Sequence, residues 1–365
     1  MATLAEPAIS FTRLPHPAPV AADVRAAVVA DPGFGKVFTD HMVVIDWEEG
    51  KGWHNATIGP RGPLSLDPAA SVLHYAQEIF EGLKAYRLAD GSMALFRPDA
   101  NARRFNQSAE RLAMPSLPEE TFVEAIKELV RADADWFPTV EGGSLYLRPF
   151  MIATEAFLGV RPAKSYKFIV IASPAGNYFK SGAPAVSIWV SDYTRAAPGG
   201  TGAAKCGGNY AASLVPTAEA FARGHDQVLF LDAAEHRWIE ELGCMNLFFA
   251  FDDGRLITPP LTGTILPGIT RESIIALARD EGLNVSEEPY SLDAWKADAT
   301  SGKLVEAFAC GTAAVVTSVG RVADRNGAFT IGSGGPGQLT GKLKDRLVAI
   351  QRGSAPDPHG WVVTL

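Results

Sequence analysis

Lys205 stands inside a glycine-rich run, residues 199–210, in which five of the twelve residues are glycine. Glycine has no Cβ, so its backbone can take positive φ and leave room for a bound group. A lysine held away from bulk water becomes a nucleophilic amine, which is the chemistry of a Schiff-base lysine. A solvated lysine in a loop between a strand and a helix explains the same run equally well. The run by itself leaves both interpretations open.

A pair of carboxylates and two turns offer complementary chemistry elsewhere in the chain. Glu240 and Glu241 lie between two predicted strands, where a carboxylate can keep a pyridine nitrogen protonated, although an exposed acidic loop is the more common explanation. Thr270 begins a predicted helix. The free backbone amides at that end could bind a phosphate, or Thr270 could serve only as a helix cap. The turn 311–314 offers backbone amides to an anion, or is only a tight turn.

The elements that must position these residues change in character along the chain. Its first half mixes antiparallel strands with amphipathic helices, which predicts an α+β domain rather than a doubly wound sheet. The predicted elements there are hairpin strands 42–47, 53–58, 81–88 and 92–96, helices 99–114 and 119–137, and strands 144–153 and 166–172. The second half is predicted to hold strands 186–190, 227–232, 246–251, 284–288, 305–309 and 315–319, and helices 210–223, 270–281 and 339–351.

A stretch rich in Gly, Pro, Asn and Ser separates these halves and predicts a linker. We therefore expect an N-terminal extension over 1–30, a small α+β domain over 31–175, an interdomain loop over 176–186 and a larger domain over 187–365.

Composition excludes several classes of protein. The 365 residues are 47% hydrophobic and 20% charged, as in globular enzymes, and the net charge of −8 argues against nucleic acid or an anionic membrane as the main partner. The three cysteines are odd in number and widely spaced, so neither a disulfide framework nor a metal site is expected. The N-terminal residues lack the pattern of a secretory signal, and no apolar run is long enough to span a bilayer. These features predict a cytoplasmic protein.

Several separated segments, in order along the chain, resemble the branched-chain amino-acid aminotransferases, pyridoxal-phosphate enzymes of fold type IV. The resemblance runs from about Gly33 to the C-terminal helix and implies a two-domain fold like that of D-amino-acid aminotransferase, with the larger C-terminal domain binding the cofactor. The matching segments are FGKVFTDHM at 34–42, FEGLKAYR at 80–87, LFRP at 95–98, YLRP at 146–149, the lysine run, ELGCMN at 241–246 and LPGITR at 266–271.

The resemblance implies a role for each cofactor residue. Lys205 forms the Schiff base with pyridoxal 5′-phosphate, Glu241 rather than Glu240 pairs with the pyridine nitrogen, and Tyr210 hydrogen-bonds the phenolic oxygen of the ring. The residues expected around the phosphate are Arg104, Arg195, Ile269, Thr270 and Thr312, and Leu266 and Gly268 are also expected to bind the cofactor.

The substrate side implied by the resemblance is an apolar pocket in a homodimer. Arg148 admits the glutamate side-chain carboxylate, and the amides of Ala313 and Ala314 take the α-carboxylate. The expected walls are Phe34, Tyr75, Phe80, Tyr178 and Met245, with Tyr146, Leu158 and Val160 contributed by a second subunit. Taken without the family, Phe34, Tyr75, Phe80 and Leu158 would be assigned to the core.

The implied reaction is ping-pong transfer of the amino group between leucine, isoleucine or valine and 2-oxoglutarate. A D-amino-acid transaminase, a lyase for aminated chorismate and a non-enzymatic binding protein are the alternatives, while a P-loop kinase fails because Ala204 and Cys206 flank Lys205. The chain departs from relatives at Ala314 and Thr317, where mammalian members carry a redox pair of cysteines, and at Cys244, where many carry a hydroxyl residue or glycine. The preferred substrate stays open.

Overall fold

The computed structural model describes residues 9–176 and 185–365 and divides the chain into two compact units. One unit comprises Met1–Tyr178 together with Pro358–Leu365, and the other comprises Phe179–Asp357. Most of the expected interdomain loop, 176–186, lies outside the described residues. The last eight residues fall in the first unit rather than in the larger domain expected over 187–365, because a strand there pairs with a strand of the first sheet.

The regular elements alternate between strands and helices along the chain. The strands are β1 Thr12–Arg13, β2 His41–Glu48, β3 Gly52–Pro60, β4 Glu78–Phe80, β5 Leu83–Arg87, β6 Met93–Phe96, β7 Ser144–Ala153, β8 Ser165–Ala175, β9 Val186–Val190, β10 Gln227–Leu231, β11 Ile239–Leu242, β12 Asn246–Phe251, β13 Arg255–Thr258, β14 Asn284–Glu287, β15 Leu304–Gly311, β16 Val315–Asp324, β17 Gly327–Thr330 and β18 Val362–Thr364. The α-helices are α1 Ala22–Ala30, α2 Ser71–Tyr75, α3 Pro98–Arg111, α4 Glu119–Ala132, α5 Gly207–Ala211, α6 Leu214–Ala222, α7 Ile269–Asp280, α8 Leu292–Ser301 and α9 Gln338–Gln351.

The first unit is a mainly antiparallel sheet covered by helices, which confirms the α+β prediction. Its strands follow the order β1-β3-β2-β8-β7-β5-β6-β18, with β4 added against β7. Both predicted hairpins, β2–β3 and β5–β6, are present. Helices α3 and α4 pack their apolar sides on the sheet, where Phe105, Phe122 and Phe168 form a buried aromatic cluster. Burial of such large side chains is the main stabilising term of this unit.

The second unit is a mixed sheet in the order β11-β10-β9-β16-β15-β12-β13-β14, with β17 against β16. Strand β9 pairs in parallel with both β10 and β16, whereas β12 and β15 are antiparallel. All six residues of β12 are buried, which explains their continuous apolar pattern. Phe249 on this strand packs against Tyr290 and Trp295, and all three belong to the hydrophobic core of the second unit.

Two segments near the candidate site differ from the sequence prediction. The helix predicted over 210–223 is divided into α5 and α6, and Pro216, which has no backbone N–H, lies in the first turn of α6, where that loss is tolerated. Ser213 donates its hydroxyl to the Tyr210 carbonyl oxygen at 2.7 Å across the break. Glu240 and Glu241, which were predicted to lie between strands, are within β11 itself. Hence they are part of the sheet rather than of an exposed loop.

The turn that leads from β10 into β11 depends on one carboxylate. Asp232 accepts hydrogen bonds from the amides of Ala234, Glu235, Arg237 and Trp238 at 2.7 to 3.1 Å. Although partial burial alone would raise its pKa, these amides together lower the pKa of Asp232 from 3.8 to about 2.

We expect Asp232→Asn to lower the free energy of unfolding by about 1 to 2 kcal/mol at pH 7, because an amide cannot accept all four bonds and solvent screens the charge in part. A folded-state pKa below the unfolded value stabilises the protein above pH 3.8, and this contribution disappears as the pH falls toward 2. Urea unfolding across this range should show the wild-type advantage shrinking. The exposed Asp345→Asn serves as control, and an equal loss from both variants would contradict the assignment.

Candidate active site

Lys205 and Tyr210 are in direct contact in the second unit. The Lys205 Nζ donates a hydrogen bond to the Tyr210 Oη at 2.7 Å, and the lysine is half-buried. Helix α5 begins just after the lysine and carries the tyrosine in its single turn, which brings the two side chains together. The structure therefore favours a functional lysine over a solvated loop residue.

Asn209 fixes the backbone of the lysine loop. Its Nδ2 donates to the carbonyl oxygens of Thr201 and Ala204, both at 2.8 Å, and its Oδ1 accepts from the Thr201 hydroxyl at 2.8 Å. Sequence reasoning missed this residue, although an asparagine next to glycines is a common signal for side-chain to backbone bonding.

The glycines of the run have different uses. Gly199 has a φ of +76°, which favours glycine. Gly202 has an ordinary φ, but a Cβ there would overlap the backbone of Thr264 and lie 2.7 Å from the Ala196 Cβ. Its clearance serves close approach of another loop of the protein. This differs from the expectation that the glycines clear space for a cofactor.

We expect Gly202→Ala to destabilise the protein by about 1 to 3 kcal/mol, because the backbone at Thr264 has to move. Gly208→Ala is the matched control, since a Cβ there meets nothing within 4 Å and its position in α5 favours alanine. Thermal unfolding of both variants distinguishes a packing role for Gly202 from general flexibility of the loop. Similar midpoints for the two variants would contradict the packing role.

Glu241 lies opposite the lysine loop in an ion pair. Its side chain is 3% exposed, its Oε2 lies 3.1 Å from the Arg195 Nη2, and its Oε1 accepts from the Leu266 amide at 2.5 Å. Burial raises the pKa of Glu241, while Arg195, the Leu266 amide and Lys205 oppose that shift. A further cation placed against this carboxylate would favour its charged form, so the position suits a protonated ring nitrogen.

A small cavity opens beside these groups. Its lining residues are Arg195, Ala204, Asn209, Tyr210, Ser213, Glu241, Gly243, Cys244 and Leu266. The Arg195 Nε is buried and has no hydrogen-bond partner among the described residues. A buried guanidinium donor without a partner is costly, so an anionic ligand in this cavity would complete the site.

The start of α7 lies next to the cavity. Asn246 donates from its Nδ2 to the Leu266 carbonyl oxygen at 3.1 Å, and a Cβ on Gly268 would overlap the Asn246 Oδ1. Gly268 therefore permits the close packing that aims the α7 amides, beginning at Ile269 and Thr270. Asn246 was not predicted as a site residue.

The turn that contains Thr312, Ala313 and Ala314 joins β15 to β16. Just before this turn, Cys310 of β15 pairs with Asn246 of β12. Val315 at its end has a φ of +62°, a strained conformation for a β-branched residue. Met245 is buried in the core, and its Cγ lies 3.2 Å from where a Cβ on Gly311 would stand. Two predicted parts of the site, Met245 and this turn, are thus neighbours.

Four predicted substrate residues cluster in the first unit. The rings of Phe34 and Tyr146 lie edge to face at 5.2 Å, and the Arg148 guanidinium lies 4.9 Å from the Phe80 ring centre. The Arg148 Nη2 donates to the Tyr146 Oη at 3.3 Å. The Arg148 Nε is buried without a partner among the described residues, which suits recognition of a carboxylate.

Arg104 also lies in the first unit, where it is paired with a buried acid. Its Nε and Nη2 donate to the two carboxylate oxygens of Glu81 at 2.7 and 2.8 Å, and Asn101 donates to the same carboxylate at 2.7 Å. Such a bidentate pair orients the guanidinium strongly. A predicted phosphate residue is thus held in place by Glu81, which was not predicted as a site residue.

The remaining apolar residues form an exposed group. The Tyr75 Oη donates to the Leu158 carbonyl oxygen at 2.6 Å, and Leu158 and Val160 are 72% and 90% exposed. Phe34 and Tyr75 were both expected as walls of the pocket, with Tyr146 contributed by a second subunit. Within the chain, the ring of Tyr146 lies against the ring of Phe34. The predicted Tyr178 lies outside the described residues.

Residues 9–176 and 185–365 contain neither a metal-binding cluster nor a membrane-spanning helix. No group of three or more His, Cys, Asp or Glu side chains is placed there to hold a metal ion. No helix in this part of the chain is long and apolar enough to cross a membrane.

Comparison with known proteins agrees with this geometry. The profile of the amino-transferase class IV family matches residues 78–322. The branched-chain-amino-acid aminotransferase of Mycolicibacterium smegmatis is 55% identical over 362 residues, covering 98% of each chain. The fold and the lysine site thus define an aminotransferase of class IV. Within that class, the chain belongs to the branched-chain-amino-acid aminotransferase family, which confirms the resemblance seen in the sequence and the predicted fold type IV.

Solved structures of the family share the fold. The branched-chain amino acid aminotransferase of Escherichia coli has a TM-score of 0.73 at 30% identity and covers 87% of this chain and 98% of its own. The T.th. enzyme with pyridoxamine 5′-phosphate has a TM-score of 0.72 at 30% identity, covering 87% and 97%. With N-(5′-phosphopyridoxyl)-L-glutamate and with 4-methylvaleric acid, that enzyme matches at TM-scores of 0.71 and 0.72, with 29% identity and the same coverage.

Proposed function

We propose that this aminotransferase carries pyridoxal 5′-phosphate on Lys205 and transfers the amino group between leucine, isoleucine or valine and 2-oxoglutarate in a ping-pong cycle. The observation that carries the proposal is the pairing of Lys205 with Tyr210 beside a cavity that is also lined by Glu241 and Arg195. Related structures with a pyridoxamine phosphate and with a phosphopyridoxyl glutamate support it.

The residues present fit this cofactor. Arg195, with its unpartnered Nε, and the amides at the start of α7 would hold the phosphate, and Glu241 would face the ring nitrogen. Thr312 and Arg104 are proposed as further phosphate ligands. When bound, pyridoxal phosphate supplies an electron sink for the carbanion at the substrate Cα and holds the amino group between the two half-reactions.

The protein side chains handle protons and charge. The Lys205 amine would act as general base and acid at the substrate Cα, a role that lysine fills when its amine is neutral. The Tyr210 hydroxyl, 2.7 Å from that amine, orients it and would hydrogen-bond the phenolic oxygen of the cofactor ring. Glu241 would keep a proton on the ring nitrogen, and its own burial would keep bulk water from screening this interaction.

Substrate choice is proposed to depend on the aromatic cluster in the first unit. Phe34, Phe80 and Tyr146 offer apolar faces that suit branched aliphatic side chains, and Arg148 among them supplies a guanidinium for the side-chain carboxylate of glutamate. Both substrate types, apolar and acidic, would then use the same residues. The binding of 4-methylvaleric acid by a related enzyme agrees with an apolar pocket.

A homodimer in the cytoplasm is the proposed working form. Leu158 and Val160 expose apolar side chains that a second subunit would cover. Cys206, Cys244 and Cys310, all within the described residues, form no disulfide, as is usual in a reducing compartment.

The visible absorbance of the protein with added pyridoxal phosphate tests the proposal. Addition of L-leucine alone should convert the absorbance to that of the amino form of the cofactor, and 2-oxoglutarate should restore it. D-alanine serves as the control for the alternative D-amino-acid specificity and should leave the spectrum unchanged. A spectrum that responds to D-alanine and not to L-leucine would overturn the substrate assignment.

A further inference from the structure

Two consecutive glutamates contact the same loop of the second unit. The Thr264 hydroxyl donates to the Glu240 Oε1 at 2.5 Å, and the Leu266 amide donates to the Glu241 Oε1 at 2.5 Å. Consecutive residues of a regular strand point to opposite faces of a sheet. A local irregularity must therefore redirect one of the two side chains.

A β-bulge in β11 provides that irregularity. Phe230 lies opposite Glu241, and the next residue, Leu231, lies opposite Ile239, so Glu240 is the extra residue of the bulged strand. Bulges of this kind redirect side chains and are frequent beside active sites. The bulge accounts for two neighbouring carboxyl groups reaching one loop.

Glu240 holds Thr264 jointly with other groups. The Thr264 carbonyl oxygen accepts from the Arg195 Nη2 at 2.6 Å, and its hydroxyl also lies 3.0 Å from the Thr262 hydroxyl oxygen. Thr264 precedes Leu266 by two residues, and Leu266 leads through Gly268 into α7. Thr264 is thus the point at which Glu240 can control the position of the cavity lining and of the helix start.

The surroundings of Glu240 favour its uncharged form. The residue is 6% exposed, and its Oε2 is buried without a hydrogen-bond partner among the described residues. Burial raises the pKa of Glu240, and Asp232 adds to this effect, while the Thr264 hydroxyl and Arg195 oppose it. A neutral carboxyl group still accepts the hydroxyl of Thr264, and it avoids a buried charge with one unpaired oxygen.

We propose that Glu240 is a positioning residue of the cofactor site: redirected by the bulge, its carboxyl group fixes Thr264 and thereby the loop that presents Leu266 and the first amides of α7. This inference rests on the proposed function, since it concerns the affinity for pyridoxal phosphate. Glu240 acts through Thr264, whereas Glu241 acts on the ring.

The test is the dissociation constant of pyridoxal phosphate, measured by equilibrium dialysis of the apoprotein. Glu240→Leu should weaken binding about tenfold, as expected for one buried hydrogen bond. Glu240→Gln keeps an acceptor oxygen for the Thr264 hydroxyl and should restore binding to within about twofold, because the proposal assigns the effect to this hydrogen bond and not to a charge. The exposed Glu235→Leu, in the turn before β11, is the matched control. Urea unfolding of each apoprotein monitors folding.

The double variant Glu240→Leu/Thr264→Val separates positioning from general destabilisation. If Glu240 acts through Thr264, then Glu240→Leu and Thr264→Val each weaken the binding of pyridoxal phosphate. The double variant should then bind no more weakly than the single variant with the lower affinity. Additive losses of affinity, or a Glu240→Leu variant that binds as tightly as the wild type, would overturn the inference. The proposed function would stand in either case, provided that the wild-type protein binds pyridoxal phosphate. A wild-type protein that fails to bind pyridoxal phosphate would overturn both.

Discussion

Lys205→Ala is expected to abolish transamination between L-leucine and 2-oxoglutarate and to remove the visible absorbance of covalently held cofactor. The loss of turnover should exceed about 10²–10⁴-fold, the contribution of proton transfer by a positioned group alone, because the same amine also anchors the cofactor. Stability should change little, since Lys205 is only half-buried and Asn209, not the lysine, holds the loop backbone. Absorbance, steady-state rates and thermal unfolding measure the three outcomes.

Lys296→Ala provides the control for this variant, because it removes an exposed lysine from α8 and so changes the net charge by the same amount. It should keep the rate and the spectrum of the wild type. Substantial transamination by Lys205→Ala would mean that another amine carries the cofactor.

Glu241 gives the second large effect, and two substitutions distinguish its roles. Glu241→Gln keeps an acceptor for the Leu266 amide but cannot balance a positive ring nitrogen, so kcat should fall about 10²–10³-fold with a smaller change in KM. Glu241→Ala removes the charge and also both acceptor oxygens that face the buried Arg195 and the Leu266 amide, which should cost about 3 to 5 kcal/mol of stability. Steady-state kinetics and urea unfolding of the apoprotein measure the two effects.

Glu235→Gln, an exposed glutamate of the preceding turn, is the control and should match the wild type in both measurements. A Glu241→Gln variant with wild-type kcat would assign the ring nitrogen to another residue. Wild-type stability of Glu241→Ala would show that the pair with Arg195 contributes little.

Local patterns in the sequence predicted most of the fold. Strand β12 was predicted at its observed bounds because an unbroken apolar run is typical of a buried strand, and the Asp90-Gly91 turn correctly indicated the hairpin of β5 and β6. The missed strand β11 is short and carries two glutamates, so its pattern resembles that of a loop. The pairing of β18 with the first sheet joins residues far apart in the chain, and no local pattern encodes it.

The candidate site, like the fold, was predictable from local patterns only in part. The sequence pattern by itself singled out Lys205 as an amine in a glycine-rich run and left its role open, and the resemblance to the family supplied the expected roles of Lys205, Tyr210 and Glu241. Their contacts could not be identified in this way. The ion pair of Glu241 with Arg195 and the carboxylate bond that orients Arg104 join residues tens of positions apart.

The sequence by itself determined the lysine, its glycine-rich surroundings, the family and the order of most elements, because these depend on residue type and local periodicity. Only the tertiary structure decided that Gly202 makes room for Thr264 and that the Tyr146 ring packs against the Phe34 ring. It also decided that a bulge turns Glu240 toward the same loop that Glu241 contacts. These features depend on strand register and on hydrogen bonds between residues such as Glu240 and Thr264, which lie 24 positions apart. Register is set by the packing of the whole sheet, so no single segment contains the information.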